Sequence, residues 1–307
     1  MANGRTLSAV TDEPDTRWRP LSVRESGYYE DYDALHMGVP RWLSSSLWSW
    51  VTSQLRFEGD FLRLERTFRT ELGITTYGRD GALADLQRQV FHDQELFLDV
   101  VDLLLSDLDP GQDTYDENGV YQPNQDAQEV TALTRMFSEA GSLWKVAAIS
   151  DRHVGLVRRM PHEVEAAAEQ VMGKGDKAAQ HLRLAWSAVY GRHPDAGKGY
   201  QEAIRAIEVA TIPVVLPAST AGTLGKVIAA LRDKPSKWAV GLNHPDPERQ
   251  VLILADMLDL VWKGQSDRHG DPDPNTPLSV TLEQAQTAVH LAVTMVQWLT
   301  TGVVTTG

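Results

Sequence analysis

The chain carries 42 acidic and 29 basic residues among its 307, a formal charge of −13, and no cysteine. The lack of cysteine excludes disulfides, thiol nucleophiles and cysteine-ligated zinc, and the acidic balance argues against broad, non-specific coating of nucleic acid while leaving room for a small local basic site. A hydrophobic fraction of 42% with 23% charged residues is that of an ordinary globular protein, long enough for one large or two medium domains of about 150 residues each.

Residues 1–16 are polar, hold Gly4, Pro14 and several charges, and read as a disordered tail. No apolar stretch follows a basic region between Met1 and Asp15, so no secretory signal is expected. No run of about 18 apolar residues occurs, so neither is a membrane span; a cytoplasmic location is the matching expectation.

From Arg41 to Phe57 the apolar residues Trp42, Leu43, Leu47, Trp50, Val51 and Leu55 recur at helical spacing. Trp42, Trp48 and Trp50 lie near one stripe, which favours the core over a binding surface. Phe61, Leu64, Phe68 and Leu72 predict a second helix stopped by Gly73, and Leu83 to Leu108 a long one ended by Pro110 and Gly111. Residues 109–127 change to Asp, Gly, Asn, Pro and Gln, and predict a loop. A calcium loop fails there: with Gly119 as its glycine, the first ligand is Thr114 and the last Gln125, not a glutamate.

Ala127 to Ala140 predicts a helix. Trp144 to Ile149 and His153 to Val157 predict one small β-hairpin near 144–158. Pro161 opens a helix to about Met172, with Glu163 and Glu165 where acids suit the helix dipole. Ala178 to Tyr190 follows, halted by Gly191 to Pro194, and Asp195 caps a helix carrying Tyr200, Ile204, Ile207 and Val209. Pro213 and Pro217 break that pattern. Helices from Thr223 to Arg232, Pro247 to Val261 and Leu282 to Leu299 complete the chain, the last started by a Thr281–Gln284 capping box. The fold class is therefore mainly α, a multi-helix bundle with one hairpin.

Gly222 to Lys226 has the wrong spacing for a phosphate loop, and Val227 stands where that loop needs a hydroxyl, so Thr220 or Thr223 reads as a helix cap. His290 sits among Val289, Leu291 and Val293 as a packed core residue. His36, His92, His162, His181 and His244 have no partner at metal-ligand spacing and receive no role. The densest polar chemistry is Lys263 to Asn275, where cations, His269 and carboxylates share a loop between two helices. A histidine there exchanges a proton near neutral pH, and an arginine offers a fork suited to two phosphate oxygens.

A series then stands out in chain order: Trp144, Leu156, Arg158 and Arg159; His181, Ala185 and Trp186; His193, Pro194 and Asp195; Glu202, Ala203, Ala206 and Glu208; Thr223 and Lys226; His269 and Gly270; and Ala288, His290, Ala292 and Leu299. This series resembles the abortive-infection (Abi) C-terminal family of the HEPN superfamily, over roughly residues 144–301. The resemblance implies a HEPN-like helical domain at 141–307, behind a helical region at 17–140 that senses a trigger or contacts a regulatory protein. It implies a metal-independent endoribonuclease of phage defence, with an arginine a few residues before a histidine, in a homodimer whose two motifs face one cleft. No cofactor and no metal belong to that expectation.

Carried over by residue, His269 matches the motif histidine, as general base on a ribose 2′-OH or general acid to the leaving oxygen. Lys263 is the cation in the window before it, while Arg268 adjoins the histidine instead of standing at the family spacing. Either cation would stabilise charge on the phosphate, Asp267 or Ser266 would orient the imidazole, and Gln265, Ser266 and Gly270 would contact substrate. Either Lys263 or Arg268 replaces the motif arginine, or the chain keeps the scaffold as a non-catalytic sensor or interaction protein.

Overall fold

In this computed structural model, residues 19–26, 34–111, 114–115, 121–122, 124–150, 152–219, 221–242, 244–264 and 280–306 are described. The tail expected at 1–16 and the candidate site residues Gln265, Ser266, Asp267, Arg268, His269 and Gly270 lie outside the described residues; Lys263 lies within them.

The fold is mainly α. Its first half contains α1 (Leu21–Ser26), α2 (Arg41–Gln54), α3 (Glu58–Phe68), α4 (Ile74–His92), α5 (Gln94–Leu105), the short strands β1 (Thr114–Tyr115) and β2 (Tyr121–Gln122), and α6 (Gln125–Glu139). The hairpin β3 (Trp144–Ala148) and β4 (Val154–Arg158) follows. The second half contains α7 (His162–Met172), α8 (Lys177–Tyr190), α9 (Ala196–Val215), α10 (Leu224–Asp233), β5 (Trp238–Val240), α11 (Pro247–Lys263), α12 (Leu282–Thr300) and β6 (Val304–Thr306). The strands form three two-stranded antiparallel sheets among the described residues.

Two apolar cores result. In the first, Leu43, Leu47, Trp50 and Val51 bury one face of α2 against Phe61, Leu86, Phe97, Leu133 and Phe137. The periodic residues that make α2 amphipathic are thus the ones that pack. The second core surrounds α9, which packs between α8 and α12. Ala203 and Ala206 let those helices approach closely, and Ile204 and Ile207 fill the space between, each worth about 1.5–3 kcal/mol when fully buried. Val154 and Leu156 of β4 belong to the first core, while Val157 bridges to Gly191 at the end of α8. The hairpin therefore joins the two.

Local signals act as their chemistry requires. Asp195 accepts from Lys198 N–H, Thr223 from Lys226 N–H, and Thr281 and Gln284 form a reciprocal capping box.

Other elements depart from the pattern-based expectation. The long pattern from Leu83 is two helices, because Asp93 takes an extended conformation and its side chain accepts from Glu95 and Leu96 N–H, starting a new helix. Pro213 does not end α9, which runs to Val215. In the last turn a proline forfeits one N–H bond, and Leu216 N–H still reaches Ile212 O at 2.8 Å. A second-core pair, Trp238↔Thr306 to Val240↔Val304, joins segments too distant in sequence for a hairpin signal. Finally, Trp50 is core, but Trp42 is 64% exposed, its Nε1–H donating to Ala140 O at 3.2 Å.

Candidate functional site

Helices α8 and α9 form an antiparallel hairpin around the turn from Gly191 to Asp195. Asp176 caps the first by accepting from Ala179 N–H and Asp195 caps the second. Gly199 sets their spacing, since a Cβ there would lie 2.4 Å from Val189 Cγ1. At this spacing His181, on the second turn of α8, meets Glu202 and Arg205 on α9.

The His181 Nδ1 to Glu202 Oε2 distance is 2.6 Å, and Arg205 Nη1 donates to Glu202 Oε1 at 2.6 Å. A carboxylate only accepts, so Nδ1 carries the proton and Nε2 is left as the nitrogen for proton exchange. The Glu202 side chain is 8% exposed, against 29% for His181 and 47% for Arg205. A buried carboxylate thus orients an imidazole and a guanidinium that both reach the surface. They open on a groove of about 290 Å³, lined also by Glu208, Val209, Ile212 and Pro213. Glu208 accepts from Leu224 N–H at 2.9 Å, tying the groove to the start of α10. A base, its orienter and a cation are the parts of an acid–base site.

Sequence alone gives His181 no role, because its partner Glu202 stands 21 positions further along the chain. The detectable signal was the pairing of two helices across a short turn, which sets positions before the turn against positions after it.

His290 is the packed histidine its surroundings suggested. Its Nε2 lies 2.7 Å from Tyr190 Oη, and Trp186 contacts both rings edge-on or tilted. Burial pulls His290 below its ordinary 6.5 and pushes Tyr190 above its ordinary 10.0, since each is less stable charged in the packed interior.

Lys263 ends α11, exposed, and donates to Asp259 Oδ2 at 2.9 Å. Asp259 also receives Arg232 at 3.2 Å, and these two bonds hold its carboxyl below the usual range. Gly264 follows against Tyr200, whose hydroxyl donates to Val261 O at 2.9 Å; a Cβ at Gly264 would lie 2.2 Å from Tyr200 Oη. Lys263 therefore stands at a tightly packed helix end, five positions before Arg268 and six before His269 in the sequence.

The start of α10 is a helix cap, as its spacing suggested: Lys226 Nζ folds back to Ala221 O at 2.7 Å. Among the described residues no group of three histidine or acidic side chains stands together as a candidate metal site, and no helix is long and apolar enough to cross a membrane. In comparisons with known proteins, no family model, no curated protein and no solved structure matches the chain.

Proposed function

We propose that this chain is a metal-independent endoribonuclease of the HEPN kind, serving abortive infection in phage defence. The observation that carries the reaction is the His181–Glu202–Arg205 constellation. It lacks a protein nucleophile, and RNA cleavage needs none because the ribose 2′-OH supplies it. His181 Nε2 takes the 2′-OH proton as O2′ attacks phosphorus. The P–O5′ bond breaks, the leaving oxygen takes a proton from water while the imidazolium later returns its own to solvent, and a 2′,3′-cyclic phosphate remains. Arg205 faces the charge that builds on the phosphate oxygens, and Glu202 stabilises the imidazolium.

The resemblance assigns the same chemistry to His269 with Lys263 or Arg268, in a dimer that brings two such loops to one cleft. One assay separates these centres: cleavage of total cellular RNA in EDTA by wild type, His181→Ala and His269→Ala. Loss in the first variant places the base on α8. Loss only in the second places it in the loop. Equal cleavage by all three, or none by wild type, overturns the enzymatic reading.

A second reading, a non-catalytic sensor or interaction protein on the same scaffold, draws on α11. Ile253 is 41% exposed and Leu260 70% exposed on its outer face, two large apolar side chains that a partner would cover on either side of Asp256. A second copy of this chain is the partner proposed, and Leu260→Asp tests it by sedimentation.

A further inference from the structure

A different cavity, of about 490 Å³, lies between the β3–β4 hairpin, α7 and α8. Its volume falls within the range of about 300–1,000 Å³ typical of small-molecule sites. Val146, Val157, Met172 and Trp186 give it apolar walls.

Part of its charged lining, Lys145 with Glu165 and Glu169, is paired internally. Lys145 Nζ donates to Glu165 Oε2 at 3.1 Å and to Glu169 Oε1 at 2.7 Å, while Glu165 Oε1 accepts from Met160 N–H at 2.6 Å. The Lys145 and Glu165 side chains are 16% and 13% exposed, so this pair is held inside the wall and does not reach for a ligand. Arg183 donates to the backbone carbonyl of Met172 across the same cleft. A ligand charge set against Lys145 or Glu165 would have to break their pair, whereas an uncharged ligand gains the walls directly.

We infer that this cavity is a binding site for a neutral, predominantly apolar small molecule. The inference is independent of the RNA-cleaving reading, because none of His181, Glu202 and Arg205 lines it. Its place also gives the occupant a consequence. The hairpin carries Val154 and Leu156 into the first core, and Met172 and Trp186 pack with the second. A bound molecule touches the hairpin on one side and α7 and α8 on the other, and so couples the two halves.

The test is titration of the full chain with N-phenyl-1-naphthylamine, a neutral apolar fluorophore that brightens in apolar surroundings. The expected result is saturable enhancement at one probe per chain, with the melting temperature rising with probe concentration. Ala147→Trp fills the cavity from β3 and Ser187→Phe fills it from α8. Each variant that keeps the wild-type circular dichroism should weaken the probe by about tenfold or more, since its contacts are removed, while His181→Ala leaves binding unchanged. Enhancement that never saturates overturns the proposal, as does wild-type binding in a folded filling variant. Loss of binding in His181→Ala with the fold intact assigns the probe to the α8–α9 groove and overturns it equally.

Discussion

Asp102, on α5, accepts the backbone N–H of Leu156, on β4, at 2.6 Å. This bond ties a first-core helix to the hairpin that joins the two halves. The same helix supplies Asp99 and Glu95 to Arg192, which comes from the turn between α8 and α9 and lies 4.8 Å over the Trp144 ring. The halves thus meet on one row of carboxylates.

Burial pushes Asp102 above the usual carboxylate range, against the opposing pull of Leu156 N–H and of His193 and Arg192. The folded state therefore binds this proton more tightly than the unfolded state. Stability from this group is greatest in acid and declines as pH rises from about 3.8 through the raised folded value. Asp102→Asn keeps an acceptor for Leu156 and removes the buried charge. Urea denaturation across pH should show this variant gaining on wild type over that window. Asp102→Ala leaves the buried N–H without its acceptor and should cost about 1–3 kcal/mol at any pH.

The Arg192 side chain is 5% exposed and donates to Asp99 through Nε at 2.9 Å and through Nη2. Removing it strands a partly buried carboxylate, so Arg192→Ala should lose about 3–5 kcal/mol in denaturant unfolding. Arg192→Lys keeps the charge but not the fork or the flat face over Trp144, and should recover only part of that loss. Wild-type stability in the alanine variant would show that the two halves are held together elsewhere.

For His290 the sign is opposite to Asp102. Burial lowers its folded pKa below 6.5, so its contribution is fully present above that value and is lost as pH falls toward the folded one. His290→Gln should flatten the acid-side decline that begins near 6.5. Tyr190→Phe removes the hydroxyl hydrogen-bonded to Nε2 and should cost about 0.5–1.5 kcal/mol at neutral pH. Thermal melts at stepped pH report both.

Kinetics should rank the α8–α9 groups by role. His181→Ala is expected to lower RNA cleavage by about 10²–10⁴-fold, the range of a general base. Glu202→Gln, which keeps a hydrogen bond but not the negative charge, should cost less, and its loss should fall on kcat. An RNA carrying a 2′-deoxyribose at the cut position should resist the wild type entirely. Cleavage of that substrate would mean that water, not the 2′-OH, is the nucleophile.

Lys263 provides a control. Its bond to Asp259 is an exposed pair one helical turn apart, worth at most about 0.5 kcal/mol. Lys263→Ala should therefore melt like wild type. Any loss of cleavage in it then reports on the part of Lys263 in the His269 reading rather than on folding.

Much of the helical fold was legible in the residues. The caps at Asp195, Thr223 and Thr281 and the buried stripe Leu43, Leu47, Trp50 and Val51 depend on neighbours within a turn or two, so local pattern suffices. The break at Asp93 was less legible because apolar spacing continues across it, and only the aspartate's bonds to Glu95 and Leu96 mark the new start. The candidate site was hardly legible, since His181 becomes chemically distinct only beside Glu202.

The residue pattern by itself determined that this chain is mainly helical, where most helices begin and end, and that cysteine chemistry plays no part. Those properties follow from short-range periodicity, capping and composition. Tertiary structure alone decided that β5 pairs with β6, that α5 clasps the hairpin through Asp102, and that His181, Glu202 and Arg205 share one groove. These are contacts between residues far apart in the chain. Their energies depend on burial and distance, which exist only after the helices have packed.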